Sequence, residues 1–377
     1  MIDKNTGTQD RLSLYLLRSS PYSNWNDLIN AKQKKYQQNW FYKPVGIELE
    51  ITSLCNIECS GCAVTDSFGD KNYTLSHDTI MNVLEQAAKY GLFFYTITGG
   101  EPFLAFDMIK QLLPSAPLDL MTLRTNGYAF SNLEKTKAIL GELSLSIKNK
   151  YMKTSVYLSQ GQQNIAGVPI INSIYMLTGA LSMLDPDRFT LNFTLFDKNI
   201  KFAEEIDNEF FELLKKYDIP LDRILTDFTH IKDTRICSTA IKIGELSDQM
   251  TGIKTLIDLY KKQRTLNCSH CESQLQQGWI GPRMLVRANG DVYACSGFCH
   301  VFLLGNIHTQ SLLEILEYAN ALPELKAVFT SGLEGLLDYT LHRYPQVAEE
   351  VLSISFGPCN LCEYLVNFLS QGKAYQL

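Results

Sequence analysis

The sequence predicts an α/β protein: a partial (β/α)6 barrel, or the open parallel sheet it would curl from, followed by a cysteine-rich C-terminal domain. Three observations predict it. From about residue 44, short β-rich runs alternate six times with helical patterns, and parallel strands need such crossovers. The alternation stops near Phe228. Beyond it, Cys268–Leu377 holds six of the ten cysteines, the mark of a region organised by metal rather than by a large apolar core.

The strands are expected at Gly46–Thr52, Phe93–Thr98, Leu118–Thr125, Thr154–Ser159, Phe189–Phe196 and Arg223–Phe228. Between the first two lies a helix with Ser76 as N-cap. It has an apolar face of Ile80, Val83, Leu84 and Ala87, and Gly91 follows its last turn. Helical patterns recur at Asn132–Lys148 and Lys201–Tyr217. A helical stretch at Glu245–Gln263 then leads to a hairpin signal, MLVRANGDVYAC, turning on Asn289-Gly290, and to a helix at Ser311–Tyr318. The domains expected are an N-terminal extension (1–43), the barrel (44–235), a helical linker (236–267) and the cysteine-rich domain (268–377).

Composition narrows the function. Apolar residues at 45% and charged residues at 20% are those of a globular chain and exclude global disorder. The formal charge of −6, with no basic run, argues against nucleic acid as a partner. The first residues lack a basic segment followed by an apolar one, so a cytoplasmic location is expected. Residues 154–184 carry no charge, but Pro169, Asn172, Ser173, Thr178, Gly179 and Ser182 interrupt the stretch. It reads as strand, loop and buried helix, not as a membrane span. Ten cysteines in a cytosolic setting point to metal or redox chemistry rather than disulfides.

The first strand runs into Cys55-Asn-Ile-Glu-Cys59-Ser-Gly-Cys62. Three thiolates on one loop can converge on a soft metal. Structural zinc takes four ligands, and the nearest further candidate, His77, is fifteen residues on; three cysteines alone suit a cubane cluster with one open iron. Thr98-Gly99-Gly100-Glu101-Pro102 follows the second strand and Thr125-Asn126-Gly127 ends the third. In this order, C-x3-C-x2-C, GGEP and TNG resemble the signatures of the radical S-adenosylmethionine (SAM) enzymes. The resemblance implies a [4Fe–4S] cluster on Cys55, Cys59 and Cys62 whose open iron chelates SAM. It also implies backbone approach of Gly99 and Gly100 to the SAM amino group, with Glu101 as a carboxylate acceptor and Pro102, Thr125 and Asn126 beside the cofactor. Ser159, ending the fourth strand, stands where relatives carry a serine reaching the ribose; they usually continue S-x-D-G, whereas this chain reads Ser159-Gln160-Gly161.

The second set is Cys268-Ser-His-Cys271 before the hairpin, Cys295 at its end, Cys299, and Pro358-Cys359-Asn-Leu-Cys362. With Gly305-Asn306-Ile307 between, it is similar to the SPASM and twitch extensions of the same superfamily, which hold auxiliary [4Fe–4S] clusters. No cysteine follows Cys362, and six thiolates cannot fill two four-thiolate sites, so one auxiliary cluster is expected; zinc shares the same ligand preference and stays the alternative. Cys237 stands apart, either as an inert thiol or as a catalytic donor to a substrate radical.

The resemblance implies an enzyme that abstracts hydrogen from its substrate through a 5′-deoxyadenosyl radical and draws electrons from a flavodoxin or ferredoxin. Substrates in this subgroup are ribosomally made peptides or protein side chains, or small molecules such as sugars and nucleotides; peptide modification is the first expectation. The 43 residues before the barrel are short for the winged-helix leader-binding module of some relatives, so a separate leader-recognition protein, or docking on the barrel rim, is expected. A non-catalytic iron–sulfur electron carrier is the alternative of another class, and it gives no reason for the GGEP turn.

Overall fold

The structure is a computed structural model. It describes residues 40–57, 71–118, 120–146, 152–157, 169–183, 189–196, 212–219, 225–232, 235–242, 282–295, 302–347 and 358–374, with the single positions 27, 31, 62, 64 and 68. In chain order its elements are β1 (Gly46–Thr52), α1 (His77–Lys89), β2 (Phe94–Gly99), a 3-10 turn (Pro102–Ala105), α2 (Phe106–Ser115), β3 (Leu120–Leu123), α3 (Leu133–Ser146), β4 (Met152–Tyr157) and α4 (Ile170–Met183). They continue as β5 (Phe189–Phe196), β6 (Leu225–Lys232), β7 (Arg235–Lys242), β8 (Arg283–Val286), β9 (Asp291–Tyr293), β10 (Leu303–Asn306), α5 (Leu312–Ala321), α6 (Pro323–Arg343) and α7 (Pro358–Ala374).

All six predicted strands form. They fall into two sheets, ordered β10-β9-β8-β1-β2-β3 and β4-β5-β6-β7. In the second, β4, β5 and β6 run parallel, while β7 turns back antiparallel to β6 with Lys232 opposite Arg235. Residues 236–242, expected in a helical linker, are therefore strand. The β-branched content of Ile236, Thr239 and Ile241 and the antiparallel pairing with β6 favour strand over helix there.

The chain divides into two compact units. One comprises Glu50–His77 and Thr96–Gln263 and holds the ends of β1 and β2, then β3–β7 and α2–α4. The sequence of β1 alternates, with Ile47, Leu49 and Ile51 on one face and Glu48, Glu50 and Thr52 on the other, yet every residue is buried. Parallel strands covered on both faces normally read as continuous apolar runs. Here two carboxylates, Glu48 and Glu50, go inside with the strand.

The other unit comprises Met1–Leu49, Asp78–Tyr95 and Arg264–Leu377. Helix α1 buries the predicted face of Ile80, Val83, Leu84 and Ala87. It closes as a Schellman motif: Gly91, at φ 87°, donates to Ala88 O, and Leu92 donates to Ala87 O at 3.0 Å. The hairpin β8–β9 turns through Ala288-Asn289-Gly290 with Gly290 at φ 90°, and Arg287 N–H donates to Asp291 O at 2.8 Å. Strand β8 lies parallel to β1, pairing Gly46 with Arg283 through Leu49 with Val286. The hairpin thus extends the sheet that the first strand began.

Asn306 ties β10 to the hairpin: its Nδ2 donates to Asn289 O and Asp291 Oδ1, at 3.2 and 2.9 Å. Ser311 and Glu314 form a capping box that starts α5 where the sequence predicts a helix. The C-terminal region is richer in regular structure than its cysteine content suggests. Helices α5 and α7 run for 10 and 17 residues, and α6 is two helical segments broken at Gly332 (φ 70°), around a core of Leu312, Ile315, Leu316, Leu325, Leu336 and Leu365. Residues 41–42, expected in an N-terminal extension, are part of this unit. Tyr42 OH donates to Ala294 O at 2.6 Å, and the N–H groups of Phe41 and Tyr42 both donate to Asn320 Oδ1 at 3.0 Å. Among the described residues no helix is long and apolar enough to cross a membrane.

Candidate functional site

The site is built in the unit of Glu50–His77 and Thr96–Gln263, from three strand ends. The cysteine loop leaves β1 at Thr52 and is stitched shut at its base. Ser53 N–H donates to Tyr73 O at 2.9 Å, Tyr73 N–H to Ser53 Oγ at 2.8 Å, and the hydroxyls of Thr52 and Thr74 pair at 2.9 Å. Leu75 N–H completes the seam on Ile51 O at 2.9 Å. From this closed base the loop carries Cys55 and Cys62, the former exposed and the latter half-buried.

The second strand end lies directly on this base. Gly100 N–H donates to Thr52 O and Glu101 N–H to Leu54 O, both at 2.8 Å. A Cβ on Gly99 would overlap the Thr52 carbonyl, and one on Gly100 the Leu54 carbonyl; Gly99 also sits at φ 142°. The two glycines are required by the protein's own backbone, whatever ligand approaches them. Pro102 is buried at the start of the 3-10 turn.

Glu101 is buried, 1% exposed, and its carboxylate is met by donors of the chain itself. Oε1 accepts from Phe103 N–H and Thr125 O–H, each at 2.9 Å, and Oε2 accepts from Asn126 N–H at 2.7 Å. Burial pushes its pKa up to about 7, against the pull of those three donors toward the ionised form.

The third strand end supplies Thr125 and Asn126, both buried. Thr125 Oγ1 relays from Glu101 to Gly127, whose N–H it accepts at 3.1 Å. The Asn126 amide is held at both ends. Its Oδ1 accepts from Tyr128 N–H at 2.9 Å, while its Nδ2 donates to Asn56 Oδ1 at 2.8 Å and points at Cys55 Sγ, 3.8 Å away. The carbonyl of Gly127 accepts from Asn172 Nδ2 at 3.1 Å. Asn172 is legible in the sequence only as a polar break in the charge-free segment; Asn56 carries no signal beyond its place between two cysteines.

The Cys55 thiol is pushed up in pKa, first by burial of the sulfur although the residue is exposed; N–H donors from Ile57 and Asn126 oppose this. Donors aimed at sulfur suit a thiolate rather than a thiol. The soft, donor-supported sulfur of Cys55 fits a ligand of an iron–sulfur cluster. Cys59, Ser159, Cys268, Cys271 and Cys299 lie outside the described residues. Cys237 stands in β7 opposite His230, with neither residue's side chain described. In the other unit, half-buried Cys295 follows the hairpin next to the carbonyl that Tyr42 holds. Cys359 and Cys362 fall at the start of α7, Cys362 buried.

Two family models match the chain: the radical SAM superfamily over residues 49–148 and the SPASM iron–sulfur cluster-binding domain over residues 279–330. The first span holds Cys55–Cys62, Gly99–Pro102 and Thr125–Gly127; the second holds Cys295 and Cys299. The probable GTP 3′,8-cyclase of Saccharolobus solfataricus is 31% identical over 97 residues, 25% of this chain and 31% of that protein. The GTP 3′,8-cyclase of Lactiplantibacillus plantarum is 27% identical over 139 residues, 34% of this chain and 42% of that one. The chain thus spans less than half the length of these curated relatives. The crystal structure of Streptococcus suis SuiB bound to precursor peptide SuiA superposes with a TM-score of 0.51 at 18% identity, over 81% of this chain and 72% of that one. SuiB bound to S-adenosylmethionine gives 0.51 at 17%, over 80% and 71%. At such identity the likeness concerns the fold. A radical SAM domain implies a [4Fe–4S] cluster and SAM, and a SPASM domain implies auxiliary clusters.

Proposed function

We propose that this chain, a member of the radical SAM superfamily with a C-terminal SPASM domain, is an enzyme that removes hydrogen from an unactivated C–H bond of a peptide or protein side chain. The observation that carries the reading is the convergence of three strand ends on Cys55, through the hydrogen bonds of Gly100, Glu101 and Asn126. The chemistry a bound cluster would supply is one electron for reductive cleavage of SAM to methionine and a 5′-deoxyadenosyl radical able to take hydrogen from the substrate. Cys55, Cys59 and Cys62 would hold it; Gly99 and Gly100 set the backbone that borders it; Thr125 and Asn126 fix the adjoining rim. A flavodoxin or ferredoxin would supply the electron. Cys295, Cys359 and Cys362, with Cys268 or Cys271, would hold one auxiliary [4Fe–4S] cluster.

Peptide is the first choice of substrate because the SuiB fold, which covers both domains, is one crystallised with a precursor peptide. The GTP 3′,8-cyclase relatives favour a second reading, a nucleotide or similar small molecule. Anaerobic assays of the reconstituted chain separate the two. With dithionite and SAM it should form 5′-deoxyadenosine, and a precursor peptide encoded beside it should raise the yield and gain a mass change. Stimulation by GTP and not by the peptide would favour the small molecule, and no deoxyadenosine under any condition would remove the enzymatic reading.

A further inference from the structure

We propose that Asn126 is a positioning residue for the Cys55 thiolate, and that Glu101 is built to hold Asn126 rather than to meet the cofactor. The inference rests on the reading of Cys55 as a cluster ligand and goes beyond it. The Asn126 side chain has one orientation consistent with its partners: Oδ1 must accept from Tyr128 N–H, which leaves Nδ2 to face Asn56 Oδ1 and Cys55 Sγ. Its backbone is fixed separately, because its N–H ends on Glu101 Oε2 at 2.7 Å.

Glu101 in turn cannot swing out. Its own N–H is bonded to Leu54 O, one residue before Cys55, and its carboxylate is enclosed by Phe103 N–H, Thr125 O–H and Asn126 N–H. One buried carboxylate therefore joins the second and third strand ends, and the amide it fixes reaches the first. An N–H aimed at a ligating sulfur stabilises the more negative, reduced form of a cluster and so raises its potential. The chain would thus set the ease of the first electron transfer through a residue that binds neither iron nor substrate.

The test uses the full chain, anaerobically reconstituted, with midpoint potentials read by electron paramagnetic resonance before SAM is added. The relevant cluster is identified afterwards as the one whose signal changes with SAM. Asn126→Asp keeps the acceptor for Tyr128 but removes the donor; Asn126→Ala removes both. Each should keep iron near wild type and lower the reduction equilibrium constant of that cluster about threefold or more, and Glu101→Gln should shift it in the same direction. A folded Asn126 variant that loses this cluster while keeping auxiliary iron also supports the proposal. Wild-type potentials in both Asn126 variants at full iron content overturn it. So does a Glu101→Gln protein that loses SAM affinity while its SAM-free potential is unchanged, which would make Glu101 a cofactor ligand. Failure of the underlying reading looks different: the SAM-responsive signal would survive replacement of Cys55, Cys59 and Cys62 by Ala.

Discussion

The two cysteine-bearing regions are fixed by opposite means. Around Cys55 the scaffold is polar: a buried carboxylate, two amides and the hydroxyls of Thr52, Thr74 and Thr125 hold three strand ends together. Around Cys295 it is long-range: a hairpin added to β1, helices packed on an apolar core, and one buried phenol hydrogen bond from the other end of the chain. A polar network is unforgiving, since each donor or acceptor left alone inside costs about 1–3 kcal/mol, whereas apolar packing loses strength in smaller steps. Substitutions should accordingly fail abruptly in the first region and gradually in the second.

The largest effect tests whether the regions hold separate clusters. Replacing Cys55, Cys59 and Cys62 by Ala should remove about four irons and all 5′-deoxyadenosine formation. Iron analysis then counts the remainder: about four per chain is one auxiliary cluster, about eight is two, and zinc without iron overturns the auxiliary assignment. Next comes Gly100→Val, which should damage folding of the cysteine loop and not merely SAM affinity, because its side chain would enter the space of the Leu54 and Ser53 carbonyls. We expect a loss of roughly 2 kcal/mol or more, read as a lower melting temperature with lost iron. A stable, iron-replete variant defective only in SAM binding would contradict this crowding.

Tyr42→Phe probes the other region more gently. It removes one hydroxyl and leaves the Ala294 carbonyl without that donor, at a cost of about 1–3 kcal/mol. Melting temperature and auxiliary iron should fall while the SAM-responsive cluster stays. The smallest effect is a pH dependence. Glu101 has a native pKa of about 7 against 4.5 for an ordinary glutamate, so the folded state holds its proton more tightly. Its contribution is full below about pH 4.5 and is lost as pH rises through 7, by on the order of 3 kcal/mol at most. Relative to wild type, Glu101→Gln should therefore gain stability between pH 5.5 and 7.5 in thermal melts. A constant difference across that range would mean the three donors hold the carboxylate ionised throughout.

Local signals in the sequence locate their elements, and distant partners leave no signal at all. The apolar face of α1, the Gly91 stop, the Asn289-Gly290 turn and the three motifs at strand ends are short-range patterns, and each falls where the structure has it. Tyr42 and Asn320 meet across 278 residues, and Gly46 pairs with Arg283; neither partner carries a mark of the other. Glu101 shows the same limit inside a motif. Its spacing identifies the turn, but only the fold reveals that its carboxylate accepts from Asn126 N–H. Strand β7 is only weakly marked in the sequence, by the β-branched Ile236, Thr239 and Ile241, and pairing with β6 decides it.

The parallel pairing of β1 with β8 has a consequence for synthesis on the ribosome. Gly46 emerges 237 residues ahead of Arg283, its partner. At roughly 5–20 residues per second, the nascent strand waits about 12–50 seconds with that edge unmatched. Its Ile47 and Leu49 side chains, which are fully buried at the end, are candidates for chaperone capture or chain-to-chain pairing during the delay. Recombinant yield should therefore depend on translation speed and temperature more than the stability of the finished protein would suggest.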